Sequence, residues 1–555
     1  MHEINILLDR EAQMWKQWSH VLWLSNGDSN TKFFHTKATQ RHRKNTIGGI
    51  RDEHNSWKQN PEDIESIIRN YYQNLFFTST PENQAATWDQ IPQVITEEMN
   101  QSLTREFMEH EVVAALKQMV PLKAPSPDGM PPLFYQHFWQ MVNQNIINSI
   151  LSWLNSSTLP HLVNHTFIAL IPKIKNPEYI TEYRPISLCN VLYKIFSKVL
   201  ANRLKKLLPT IITEHQFAFT KDRLITNNIL VAFETLYSMK KYKFGDNGFM
   251  AFKLDMTKAN NWVEWSFLEN LMRKMGFCEN WIGLIMVCIR TVSYSVLING
   301  EPKGMVYPSR GIRQGDSLSL LCMEGLHGLI NSAARRGDIK GFSLCREGLE
   351  LTHLLFADDS LLFCRASKEC ETVLQILESY EQALGQKVNR NKTAILFSKA
   401  IPNSVKQAIK TALGLQEITE YEKYFGLPSL VVRRKKESFN FIKEKIWRKL
   451  HGWERKLFSQ AGREVLLKSV IQAILTFTMG CFKLPLGLCN EIEALIKKKF
   501  WGHHGDQRKI HWVKWEVLTN SKSVGGMGFR DLALFNDYLL AKQAWRLLKK
   551  YKLSF

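Results

Sequence analysis

The 555-residue sequence contains no Cys-x-x-Cys pair. Its nine cysteines, at 189, 278, 288, 322, 345, 364, 370, 481 and 489, are odd in number and widely scattered. That pattern excludes a disulfide framework and reads as reduced thiols of an intracellular protein, in nucleus or cytoplasm. No zinc is expected either, because His503, His504 and His511 stand near Cys489 at spacings that fit no zinc motif. A bilayer-spanning run is also missing. The apolar stretch 282–298 is broken by Arg290 and falls short of the roughly 20 residues a membrane helix needs. The first ten residues, MHEINILLDR, include acids and no apolar core, so neither a secretory leader nor an anchor is expected there. Internal repeats and low-complexity tracts are absent. Acidic residues are in short supply, 52 Asp+Glu against 73 Lys+Arg, which leaves a net charge of +21. Such a surplus says nothing about fold but favours a polyanionic partner, nucleic acid before a membrane surface.

What remains is an ordinary globular composition, 45% hydrophobic and 23% charged, long enough for several lobes. Residues 1–98 read as a helical, aromatic-rich connector with Trp15, Trp18 and Trp23, followed by a softer Pro/Thr/Asn/Gln linker from Thr78 to Glu98. From 99 to 240 helical patterns alternate with loops. Between 241 and 430 the texture becomes short apolar strands, turns and amphipathic helices, which is α+β. The segments 431–500 and 501–555 return to helices. From Phe441 to Phe555 there are 22 Lys+Arg against 9 Asp+Glu, so more than half the surplus charge sits in a fifth of the chain. Trp447, Trp453, Trp501, Trp512, Trp515 and Trp545 are interleaved with it. Cations among aromatics suit a groove that tracks a phosphate backbone, although any single helix reads equally as a solvated face over core tryptophans.

Two segments carry the chemistry. Phe249-Met-Ala-Phe-Lys-Leu-Asp255, after the turn Gly245-Asp-Asn-Gly248, reads as a strand that delivers a carboxylate at its end. Leu354-Leu-Phe-Ala-Asp-Asp-Ser-Leu-Leu-Phe363 reads as a hairpin with apolar arms and an acidic tip. Successive strand side chains point to opposite faces, so Asp358 and Asp359 cannot be equivalent: one faces the site and the other supports it. An Asp-Asp turn is by itself a common surface feature. Adjacent acids within apolar strands are costly unless cations neutralise them, and hard oxygen ligands of this kind suit Mg²⁺. Two such ions ~4 Å apart can serve phosphoryl transfer.

The order Lys253-Leu-Asp-Met-Thr-Lys-Ala259, Gly311-Ile-Arg-Gln-Gly-Asp-Ser-Leu-Ser319 and Phe356-Ala-Asp-Asp359 resembles the palm of the reverse transcriptases of plant non-LTR (LINE-type) retrotransposons. Upstream, Pro125-Ser-Pro-Asp-Gly129, Ile171-Pro-Lys173, Tyr183-Arg-Pro-Ile-Ser-Leu188 and Arg223-Leu-Ile-Thr-Asn-Asn-Ile229 are similar to that family's fingers. Downstream, Gly385-Gln-Lys-Val-Asn-Arg-Asn-Lys-Thr393, Tyr424-Phe-Gly-Leu-Pro428, Ala461-Gly-Arg-Glu464 and Gly525-Gly-Met-Gly-Phe-Arg-Asp531 resemble its last palm motifs, thumb and post-thumb. The resemblance implies a right-hand polymerase with fingers over 99–240, palm over 241–430, thumb over 431–500 and a basic helical segment over 501–555. It implies an RNA-directed DNA polymerase that extends a primer 3′-OH on an RNA template, using deoxynucleoside triphosphates and two Mg²⁺ ions. Asp255, Asp358 and Asp359 would be catalytic and hold the metal, Asp255 and Asp358 chiefly. Lys173 and Arg184 would reach the triphosphate, and Arg313, Gln314 and Gly315 would lie along the substrate. Lys392 would be the general acid, and Tyr424, Phe425 and Gly426 the primer grip.

Three departures from the family pattern stand out. Asn260 replaces the aromatic residue that packs under the sugar, and Asn261 replaces the aspartate after it. Ser317-Leu-Ser319 runs almost directly into Leu320-Leu-Cys-Met-Glu-Gly325, as if about four residues, roughly one helical turn, were missing. A short or displaced helix is expected there. Lys221-Asp222 replaces a Pro-Gly turn. The resemblance extends to a polymerase core without endonuclease or RNase H. These departures leave open a catalytically inactive nucleic-acid-binding remnant, and the shared palm leaves open an intron maturase.

Overall fold

The structure, a computed structural model, describes residues 4, 7, 10–11, 14–15, 31–81, 90–124, 126–243, 248–257, 260–313, 318–345, 348–357, 359–367, 369–417, 423–429, 431, 435–453, 459–502 and 510–551. The described chain divides into two compact units. One comprises Lys44–Asn228 with Thr235–Ile418, and the other Met1–Arg43, Ile229–Glu234 and Thr419–Phe555.

The larger unit holds two sheets. Strands β1 (His165–Pro172) and β2 (Tyr183–Cys189) pair antiparallel, and helix α1 (Val191–Ile211) follows. Then come β3 (Phe249–Thr257), helices α2 (Trp265–Met275) and α3 (Glu279–Arg290), and strands β4 (Ser293–Ile298) and β5 (Glu301–Val306). The first sheet has the order β2-β1-β4-β5. Its last hairpin closes on Asn299-Gly300, both at positive φ (53° and 99°), the Asn-Gly pair whose left-handed backbone matches strand twist.

Helix α4 (Leu318–Arg336) leads to β6 (His353–Phe356), β7 (Asp359–Arg365), helix α5 (Glu369–Leu384), β8 (Lys387–Val388), β9 (Ala394–Phe397) and β10 (Gln416–Glu417). The second sheet is ordered β10-β9-β3-β7-β6, with β8 also on β3. β3 is its central strand, and Phe249, Met250, Ala251, Phe252, Leu254 and Met256 are all buried. A strand covered on both faces needs such an uninterrupted apolar run. The core beneath continues through α2, α3, α4 and α5 around Phe267, Trp281, Leu326 and Tyr380.

Two of the departures fall on described segments. After Ser317 helix α4 runs 19 residues and buries Leu320, Leu321, Leu326 and Ile330. Removing about one turn keeps nearly the same face inward, so the apolar stripe survives. The turn at Lys221-Asp222 also survives, because Asp222 takes φ 64° where glycine would otherwise serve. Aspartate tolerates that left-handed region better than most residues. The connector expected to be helical also contains a two-stranded hairpin, Ile50–Arg51 with Trp57–Lys58.

The smaller unit is helical, with Lys435–His451, Gln460–Leu466, Gln472–Met479, Leu486–Phe500 and Leu532–Tyr551 as its main elements. Buried Asn536 stitches it together, donating to the carbonyls of Met479 (2.8 Å) and Phe482 (3.0 Å) and accepting from Leu484 N (2.7 Å). No helix among the described residues is long and apolar enough to cross a membrane.

Candidate active site

Antiparallel pairing sets Asp255 of β3 directly opposite Asp359 of β7, so both carboxylates stand on one face of the sheet. Like charges in cross-strand register repel and call for a cation. Asp255 Oδ2 is buried and takes no hydrogen bond, yet Lys392 Nζ lies 3.0 Å away. That contact is an ion pair, so Lys392 is the cation that neutralises Asp255 here. Lys392 is brought there by β8: Asn389 N donates to Asp255 O at 2.8 Å, and the amides of Lys392 and Thr393 fold back onto the Asn389 carbonyl. The segment Val388-Asn-Arg-Asn-Lys392 therefore turns beside the end of β3 and presents the ammonium to its carboxylate.

Asp358 lies outside the described residues, as do Gln314 and Gly315, Ala259, and His503 and His504. Within the described residues no three His, Cys, Asp or Glu side chains form a metal cluster. The two described acids, Asp255 and Asp359, fit a hard divalent cation in donor chemistry, and Asp255 Oδ2, buried beside Lys392 Nζ, accepts no hydrogen bond.

Lys173 lies within electrostatic reach of Lys392 and Arg184. It follows β1 and is tied by its own amide to Glu182 O (2.8 Å) and by Nζ to Thr181 O (2.8 Å). Partial burial lowers its pKa, as do the positive charges of Arg184 and Lys392. These three cations form a concentration of positive charge that suits a polyphosphate. Arg313 is differently engaged. It donates to Asn164 Oδ1 and, at 2.9 Å, to Thr166 Oγ1, and it lies 4.2 Å over the Tyr193 ring. Its guanidinium joins β1 to α1, a bracing role within the first sheet.

Asn260 is half-buried, and its carbonyl accepts from Ile312 N at 2.8 Å. Gly311, at φ 93°, lies so close to Asn261 that a Cβ would meet the Asn261 carbonyl at 2.7 Å. The loop after β3 is therefore pressed against 311–312. Sequence reasoning missed what anchors it: buried Glu264, whose carboxylate accepts from Thr78 Oγ1 (2.6 Å), Ser79 N (3.0 Å) and Ser79 Oγ (2.9 Å). A glutamate at a helix entry gives no such signal, because Thr78 and Ser79 lie more than 180 residues away and Arg310, at 3.5 Å, lies 46 away.

In the smaller unit Tyr424, Phe425 and Gly426 form a tight hairpin, Lys423–Tyr424 with Leu427–Pro428. Both turn residues are left-handed, Phe425 at φ 52° and Gly426 at φ 77°. A bulky residue held there is strained. The tryptophans separate by environment. Trp515 is core, 5.1 Å from Phe529, whereas Trp447, Trp512 and Trp545 are exposed by 52%, 78% and 69%. Trp447 stacks on His451 at 5.1 Å, almost parallel.

Residues 171–442, just under half the chain, match the family model for reverse transcriptase (RNA-dependent DNA polymerase). The chain is 24% identical over 522 residues to the transposon TX1 uncharacterized 149 kDa protein of Xenopus laevis, covering 92% of this chain and 38% of that protein. It is 33% identical over 124 residues to a putative ribonuclease H protein of Arabidopsis thaliana, 22% of this chain and 20% of that one. It is also 23% identical over 383 residues to the retrovirus-related Pol polyprotein from type-2 retrotransposable element R2DM of Drosophila melanogaster, 67% of this chain and 35% of the relative. The chain thus spans well under half the length of each of these three relatives.

Proposed function

We propose that the chain is the polymerase portion of a non-LTR retrotransposon protein, an RNA-directed DNA polymerase that adds deoxynucleotides to a primer 3′-OH. The observation that carries this reading is the facing pair Asp255 and Asp359, in a segment that matches reverse transcriptases, with Lys392 paired to the Asp255 carboxylate. Asp255, Asp359 and, from the sequence, Asp358 would hold Mg²⁺. Bound there, it would supply charge neutralisation at the attacking hydroxyl and the departing pyrophosphate.

The protein's own groups do the rest by position and charge. Arg184 and Lys173 receive the triphosphate, whose negative charge relieves the mutual repulsion that lowers the Lys173 pKa. Lys392, beside Asp255, is placed to give its proton to the pyrophosphate as it leaves. Asn260 lines the sugar, Gln314 and Gly315 lie along the nascent pair, and Tyr424, Phe425 and Gly426 grip the primer. In this reading residues 99–240 are fingers, 241–430 palm, 431–500 thumb and 501–555 post-thumb. Template RNA binds through the basic surface, and exposed Trp447, Trp512 and Trp545 offer stacking platforms.

Primer extension on a homopolymeric RNA template, run beside filter binding of the same duplex, separates this reading from the inactive remnant. Extension that is slowed about a hundredfold or more by Lys392→Ala, with binding retained, is expected. Salt-sensitive binding with no extension by the unaltered chain would favour the remnant.

A further inference from the structure

Gln216 lies 141 residues before Ala357, yet it touches the turn that carries the paired aspartates. β6 ends at Phe356 and pairs there with Asp359, so Ala357 and Asp358 are the two residues between the strands. Ala357 has φ 54°, a left-handed conformation that a non-glycine residue adopts only when its surroundings impose it. The first residue of a two-residue hairpin loop has no ladder partner for its amide. Here Ala357 N donates to Gln216 Oε1 at 3.2 Å.

Gln216 is itself held rigidly. It is fully buried, and the same Oε1 accepts from Ala218 N at 3.0 Å. Two N–H donors converge on one side-chain atom, which fixes the amide orientation, since the flipped form would set an NH₂ against both. The backbone around it is laced to β6: Phe217 N donates to Leu355 O (3.0 Å) and Leu355 N to His215 O (2.9 Å). Arg223 holds the loop from behind, donating to the carbonyls of Gln216 (2.7 Å) and Ile212 (3.0 Å). Gln216 Nε2 is buried with no partner. A residue chosen for stability alone would not leave that donor unsatisfied. The one service that glutamine performs there and an apolar isostere could not is to accept from Ala357 and Ala218.

We propose that Gln216 is a positioning residue of the nucleotidyl-transfer site, holding Ala357 in its left-handed form so that the adjoining carboxylates are aimed at the metal. The proposal rests on the polymerase reading for its purpose, but its physical content can be read without catalysis. Gln216→Met keeps volume and removes the unsatisfied donor, but it strands the amides of Ala357 and Ala218, so a moderate loss of stability accompanies it and Mn²⁺ binding is read well below the melting temperature.

The experiment uses the full chain, with hydrogen exchange of the segment around Ala357 and a Mn²⁺ titration followed by electron paramagnetic resonance. Asp255→Asn marks which Mn²⁺ signal belongs to the site. In the unaltered protein the Ala357 amide should be protected although it lies outside the strand ladder. Gln216→Met should abolish that protection and weaken Mn²⁺ binding about tenfold, in a chain that still unfolds cooperatively well above the assay temperature. Adding Ala357→Gly, which lowers the conformational cost of the turn, should restore part of the Mn²⁺ affinity. An unprotected Ala357 amide in the unaltered chain would overturn the proposal without any variant. So would Mn²⁺ affinity unchanged by Gln216→Met. Neither readout requires turnover, so a chain that binds Mn²⁺ in this pattern but extends no primer would count against the polymerase reading and not against the clamp.

Discussion

At Asn260 a short amide occupies the place where the resembled family carries an aromatic ring, and the surrounding loop is pinned by Ile312 N and by the close approach of Gly311. A pinned backbone makes the side chain the variable. Asn260→Tyr is therefore expected to raise the preference for dNTP over rNTP by about tenfold or more, because a missing steric contact typically costs 1–3 kcal/mol of discrimination. Competition between the two nucleotides at one template position measures it, and unchanged selectivity would contradict the assignment. Asp255 was legible in the sequence, because a polar residue closing a continuous apolar strand leaves few places for the carboxylate to go. Gln216 and Glu264 were not. Each is an ordinary polar residue locally, and its meaning comes from contacts 141 and 186 residues distant.

Elements in this fold are joined by buried polar ties that test how the larger unit is held. Arg203 of α1 is almost wholly buried, donates twice to Glu111 at 3.0 and 2.7 Å, and caps the carbonyls of Leu103 and Glu106. Arg203→Met strands those carbonyls and leaves Glu111 only the Met108 amide (3.2 Å) and the more exposed Arg105 (3.6 Å), and should cost about 3 kcal/mol in chemical denaturation. Burial works to raise the Glu111 pKa, but Arg203 outweighs it and holds the carboxyl down to about 2. Its contribution is accordingly present above the ordinary carboxylate range and is lost as pH falls toward 2. A second tie joins β6, α4 and the loop before Gln216. His327 Nδ1 meets His353 Nε2 at 2.9 Å, and His215 Nδ1 meets the His353 carbonyl at 3.1 Å. Burial lowers all three, helped by repulsion from neighbouring histidines at His327, which falls to about 4, and at His353, and by Arg223 at His215, whereas burial raises Glu324 on the same helix to about 8. The histidines therefore withdraw stability as pH falls below about 6.5. Glu324 withdraws it as pH rises from 4.5 toward 8. Denaturation midpoints across pH 4–8 should show His327→Gln flattening the acid arm and Glu324→Gln flattening the alkaline one; profiles parallel to the unaltered protein would contradict this. The strand and hairpin around the aspartates were readable from apolar runs and turn residues. The short hairpin Ile50–Arg51 with Trp57–Lys58 was not, since strands of two residues carry no alternation to read.

For the whole molecule, the net charge of +21 and its concentration after Phe441 make nucleic-acid affinity electrostatic in the first instance. The logarithm of the binding constant should fall linearly with the logarithm of salt. Lys498→Ala should reduce that slope by roughly one, and Trp512→Ala should weaken binding by about 1–3 kcal/mol without changing it. Filter binding from low to moderate salt distinguishes the two, and a salt-independent affinity would contradict the account. The class of fold was legible from the change of texture along the chain, but the division into two units was not. Met1–Arg43 and Ile229–Glu234 group with Thr419–Phe555, and composition carries no trace of such long-range association. The most direct test of the central claim is Mg²⁺-dependent primer extension on an RNA template by the unaltered chain and by Asp255→Asn. The account predicts DNA synthesis that Asp255→Asn reduces by about a thousandfold or more, with primer–template binding little changed. Synthesis that persists in Asp255→Asn, or none in the unaltered chain despite tight template binding, would contradict it.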